Sequence, residues 1–127
     1  MVTRSILAIV GLIYWGLALW CAFSPQQTSR SLGFTLQPGN GQSEYLAVYG
    51  GLQIGLGAIF LWPLVQNSFT QPALWCCFLV HASIVVFRTI GFFAFSGIPT
   101  MTIGFAMSEW VLALGAAALL WWKEPGT

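Results

Sequence analysis

Apolar positions dominate four blocks of this chain, and short polar stretches separate them. Ser5 to Phe23, Glu44 to Val65, Pro72 to Phe95 and Thr100 to Trp122 each approach or exceed the roughly 20 apolar residues that cross a bilayer as a helix. Strand-like alternation is weak in all four. Open sheets leave backbone groups unpaired in lipid, so helices are expected. "VQNSFTQP" joins the second and third blocks and "FSGIP" the third and fourth. Connections this short make those helices antiparallel neighbours. The linker over residues 24–43, "SPQQTSRSLGFTLQPGNGQS", is longer and rich in Pro, Gly, Ser and Gln. Its Leu32, Phe34 and Leu36 alternate, which suits an apolar flap over one mouth of the helices. The expected fold is all-α: an integral membrane four-helix bundle, one domain over residues 1–127, with both termini on the same side.

Composition narrows the solvent. The chain is 57% hydrophobic and 6% charged, against about 25% charged in a soluble domain. Four Lys/Arg against three acidic residues give no basic patch for nucleic acid. The first block does not read as a removable signal peptide, because its apolar run includes Tyr14, Trp15 and Trp20 and no small-x-small cleavage site follows. Arg4 and Lys123 fall on one side and Arg30 on the other, so the positive-inside rule places both ends in the cytoplasm. Trp62, Trp75, Trp121 and Trp122 fall at that face and Trp20 at the opposite one, where interfacial tryptophans belong.

The third block contains "HASIVVFRTIGFF", a histidine and an arginine inside an apolar run. Arg88 lies roughly 10 Å and Glu109 roughly 13 Å below the same face, at 1.5 Å per helical residue. A lone charge in mid-bilayer costs roughly 2.5–3.5 kcal/mol on insertion scales. Opposite charges at one depth on adjacent helices are best explained as partners, and an Arg88–Glu109 ion pair is expected. Tyr14, Tyr49 and Gln53 reach that layer, and His81 shares the Arg88 face about 10 Å deeper. Glu44 begins the second helix, where its carboxylate suits the helix dipole, but it projects away from Gln53. A purely structural pair that fixes helix register competes with one that lines a pocket. His81 alone reads more readily as an interhelical hydrogen bond. Ala47, Gly51 and Gly55 stand four apart, with Gly50, Gly57 and Ala58 beside them, and so allow a close helix approach inside the protein or in a homo-oligomer. Ala113 and Ala117 read the same way.

Several chemistries lack their parts. One His and no Asp cannot make a Ser-His-Asp triad, and no serine sits in an elbow. Cys76, Cys77 and His81 fall one short of a tetrahedral metal set. Cys21 is placed too far from Cys76 and Cys77 for a disulfide. No glycine-rich phosphate loop follows a strand.

"EYLAVYGGLQIGLG", "RTIG" and "SGIP" together resemble a group of small, uncharacterised bacterial four-helix inner-membrane proteins, loosely DoxX-like. The resemblance implies a bundle in the inner membrane, in some relatives a subunit associated with redox or quinone chemistry, with Glu44, Tyr49, Gly50, Gly51, Arg88 and Gly91 as signature positions. Leu46 and Ser96 depart from the arginine and aspartate expected in many such proteins. The functional expectation is a non-enzymatic membrane protein, an accessory subunit of a larger membrane complex or a binder of a small lipophilic molecule. Tyr14, Tyr49, Gln53, His81, Arg88 and Glu109 would line the cavity, with Trp15, Phe92, Phe105 and Trp110 as apolar walls. No metal or tightly held cofactor is expected, while a lipid or quinone-like ligand is allowed. The alternative is a proton-coupled carrier or small membrane enzyme in which Glu109 and His81 exchange protons.

Overall fold

A computed structural model describes residues 1–121, which are helical over most of their length. Trp122 and Lys123, used above for the helix end and for orientation, lie outside the described residues. The helices are α1 (Val2–Phe23), a short α2 (Pro25–Ser31), α3 (Asn40–Leu64), α4 (Thr70–Ala94) and α5 (Thr100–Trp121). Four stretches, including α1, α3 and α5 entire, are long and apolar enough to cross a membrane; the other is Asn67–Ala94, a 3-10 turn followed by α4. No strand occurs among the described residues. The exposed surface is itself apolar: Phe87, Phe93 and Val111 are 75%, 90% and 70% exposed. Faces of this kind need lipid as their solvent. The protein is multi-pass.

The chain divides into two compact units, Met1–Asn67 and the residues from Ser68 onward. In the first, α1 and α3 run antiparallel. Leu7, Val10, Gly11, Ala18 and Cys21 form a buried stripe along α1 at helical spacing. It faces Gly57 and Phe60 of α3, and the Tyr14 ring meets Phe60 edge-on with centroids 5.3 Å apart. The helices cross closest at two glycines. A Cβ on Gly11 would stand 2.9 Å from the Gly57 carbonyl, and one on Gly57 would run into the Trp15 indole. Trp15 Nε1 then donates to the Ile54 carbonyl at 3.0 Å. At one end Arg4 Nε donates to the Pro63 carbonyl at 2.9 Å, where a cation suits the last carbonyls of a helix.

The opposite end differs from the sequence reading. The 24–43 linker is not uniformly loop. Ser24–Pro25 is a start signal, with proline at the first helical position of α2. Gly33, at φ +82°, ends α2: its N–H bonds back to the Arg30 carbonyl and that of Phe34 to the Ser29 carbonyl. Residues 33–37 then cross the start of α3. Of the alternating apolar residues, Phe34 tilts onto Tyr49 (5.9 Å), Leu36 is half-buried and Leu32 is exposed. Helix α3 begins at Asn40, so Glu44 is exposed in its second turn rather than placed at the helix start. Leu46–Leu52 is wound as a π-helix within it.

In the second unit α4 and α5 are antiparallel, joined by a tight turn at Gly97 (φ +74°). Alanines make the inner face of α5: Ala106, Ala113 and Ala116 are buried, whereas Ala117, singled out above, is only half-buried. Spacings of seven and three residues keep one narrow stripe facing the neighbour. Phe78 packs edge-on against both Trp75 and Trp121 at one end.

Candidate functional site

The α5 stripe explains how the charge pair forms. Glu109 stands three residues after Ala106 and four before Ala113, so it occupies a position in the inward row. On α4 the buried row Cys77, His81, Val85 continues to Arg88. The two side chains meet in a two-pronged arrangement. Arg88 Nη2 donates to Glu109 Oε1 at 2.6 Å, and Arg88 Nε donates to Oε2. Such parallel charge-assisted bonds fix orientation as well as adding strength. The side chains are 29% and 16% exposed. Nη1 takes no part in the pair, and no other hydrogen bond of this guanidinium occurs among the described residues.

His81 is buried on the same helix, one turn beyond Cys77. Its Nδ1 lies 2.7 Å from the Cys77 carbonyl oxygen, which can only accept, so Nδ1 carries a proton there. The Cys77 sulfur is 3.6 Å away. Thr89 and Ser108 return their hydroxyls to carbonyls of their own helices, the usual way such residues are tolerated among apolar neighbours.

The other candidate residues belong to the first unit. Tyr14 packs on Phe60. Tyr49 lies in the π-helical segment and stacks on Tyr45 at 4.6 Å and 20°. Gln53 is half-buried, and its Oε1 is sealed with no hydrogen-bond partner among the described residues. Trp15, expected as a pocket wall, instead bonds to backbone at the helix crossing. Within this unit Gly51 and Gly55 do not make the close approach to α1 either: both are exposed and nothing lies within 4 Å of a Cβ built on them. Gly57 does that work. Ala47 is exposed as well, so the whole four-residue row lies off the packed face; across the π segment the buried residues, Tyr45 and Gly50, stand five apart instead. Gly50 is buried on α3, and Gly91 on α4 is half-buried.

Two concavities lie elsewhere. One of about 420 Å³ is lined by Phe92, Phe95, Gly97, Ile98 and Ile103. The other, about 530 Å³ and open, is lined by residues 33–37 with Glu44 and Tyr49. Arg88 and Glu109 line neither.

Three residues that organise the first unit escaped the sequence reading. Arg4 was counted only for orientation, yet it clasps the end of α3. Tyr45 is buried, and its hydroxyl donates to Thr28 Oγ1 at 2.9 Å and lies 3.5 Å from Cys21 Sγ. Thr28 in turn donates to the Ser24 carbonyl. The available signal was the Ser-Pro start of α2, which places Thr28 on a helix rather than in a loop. The three cysteines are free of disulfides, and no group of three or more potential metal ligands occurs among the described residues.

A family described as a domain of unknown function (DUF4345) matches residues 2–122, and the chain belongs to it. No curated protein and no solved structure matches the chain.

Proposed function

We propose that this member of the DUF4345 family is a non-catalytic protein of the bacterial inner membrane, both ends cytoplasmic, that retains a small lipophilic molecule at Arg88. One observation carries the reading: the guanidinium is held by Glu109 on two nitrogens while Nη1 takes no hydrogen bond among the described residues. An N–H donor fixed among apolar helices is a strong orienting group for an oxygen acceptor. The pair is neutral as a whole, so a ligand need not bring a compensating anion. A neutral carbonyl of quinone-like type suits it better than a carboxylate. Both Glu109 oxygens accept from Arg88, which favours binding over proton exchange with His81.

The test uses the purified chain and a short-chain benzoquinone as probe. Saturable binding is expected, weakened about tenfold in Arg88→Lys, because lysine cannot both bridge Glu109 and present a second fixed donor. Equal binding by wild type and Arg88→Lys overturns the reading. A pH-dependent flux in liposomes that vanishes in Glu109→Gln replaces it with a carrier. Copurification of a larger assembly, with no quinone binding, replaces it with an accessory subunit.

A further inference from the structure

The end of the first unit remote from Arg4 holds a feature that the ion pair leaves unexplained. Residues 33–37 and the first turns of α3 line the open concavity of about 530 Å³. Thr35, Gln37, Asn40 and Glu44 contribute polar side chains to its lining, and Phe34 and Tyr49 contribute rings. Of the two carboxylates among the described residues, Glu109 is committed to Arg88, whereas Glu44 has no ion-pair or hydrogen-bond partner among those residues. The side chains of Thr35, Gln37 and Asn40 likewise make no hydrogen bond among the described residues. The strap that carries Phe34 is held from below by the Gly33 and Phe34 N–H groups on the end of α2.

We infer that this concavity binds a primary ammonium group, as presented by an ethanolamine-headed lipid. The lining offers one anionic acceptor and several neutral oxygens, which match a group with a positive charge and three N–H donors. A quaternary ammonium has no N–H and needs ring faces on several sides. Here the ring faces are turned to one another: Tyr45 stacks on Tyr49, and Phe34 tilts onto Tyr49. Position points to a lipid source. The site lies at the start of a span-length helix, the level at which headgroups sit. Phe34 and Val48, 45% and 46% exposed, stand at the concavity where acyl chains would descend. A free amine shares the headgroup's chemistry but would not use that apolar flank.

Native mass spectrometry of the full chain in nonionic detergent tests this. Equimolar phosphatidylethanolamine, phosphatidylcholine and phosphatidylglycerol are offered together. Wild type is expected to retain the ethanolamine lipid about tenfold over the other two, the size of one charge-assisted contact. Glu44→Gln should abolish that preference while its retention of phosphatidylglycerol and its helical circular dichroism stay unchanged. Glu44→Asp should keep part of it, which separates charge from shape. Arg88→Lys should leave it untouched, so failure here is distinguishable from failure of the quinone reading. Millimolar free ethanolamine that displaces the lipid identifies a soluble amine as the natural source, and no displacement identifies the lipid; both uphold the site. Indifference of wild type among the three headgroups, or a preference that survives Glu44→Gln, overturns it.

Discussion

The two helix pairs are built on opposite principles. In the first, helices meet backbone to backbone: Gly11 and Gly57 allow the crossing, and the polar side chains nearby, Trp15 and Arg4, give their N–H groups to carbonyls of α3. In the second, an alanine stripe brings α5 against α4, and the polar contact runs from side chain to side chain between Arg88 and Glu109. Lipid removes the hydrophobic drive between helices, so each pair needs a substitute. Close packing with backbone acceptors is one. A charge pair is the other, and it leaves a donor, Nη1, without a partner among the described residues.

This contrast can be broken by substitution, and the largest effect is expected at the glycine crossing. Gly57→Val places methyl groups where the Trp15 indole and the Gly11 carbonyl already stand. Backbone cannot yield as a side-chain tip does, so the cost is about 3 kcal/mol, read by unfolding the protein in mixed detergent and dodecyl sulfate. A loss under 1 kcal/mol would mean that the crossing is looser than described.

Arg88→Ala comes next, at about 2 kcal/mol, because it leaves the mostly buried Glu109 carboxylate without its partner on α4. Glu109→Ala is expected to cost a similar amount. The double variant should lose less than the sum, with a coupling of about 1 kcal/mol. Additive losses would make the bidentate geometry energetically idle and take the proposed binding role with it.

The difference in legibility between the units has the same physical root. The four spans could be read because lipid demands length and apolarity whatever else happens. The Arg88–Glu109 meeting could be read because α4 and α5 keep one regular pitch, so that counting residues gives both depth and face. In α3 that arithmetic fails across the π-wound Leu46–Leu52, and the glycines chosen by four-residue spacing are not those that touch α1. Hydrophobicity is also blind to Tyr45, whose burial rests on a hydroxyl partner, Thr28, supplied by a helix that lies within a polar stretch.

Tyr45→Phe isolates that partner. It keeps the ring stacked on Tyr49 and removes the donation to Thr28, for about 1 kcal/mol. Amide exchange should rise in α2 and in residues 33–37 and stay unchanged in α4 and α5. Equal rises in both units would show that the latch is not local to the first.

The smallest effect is the sharpest discriminator between glycines of one helix. Gly55→Ala adds a methyl where nothing lies within 4 Å, and Gly51→Ala does the same inside the π segment. In an exposed helical position alanine restricts the unfolded chain and is favoured over glycine, so Gly55→Ala should stabilise by about 0.5 kcal/mol. Gly51→Ala gains less, because the wider turn is not the geometry alanine prefers. If both instead destabilise as Gly57→Val does, the face they share is covered by another copy of the chain. The same loss would then deepen on dilution in detergent, which an internal crossing at Gly57 does not do.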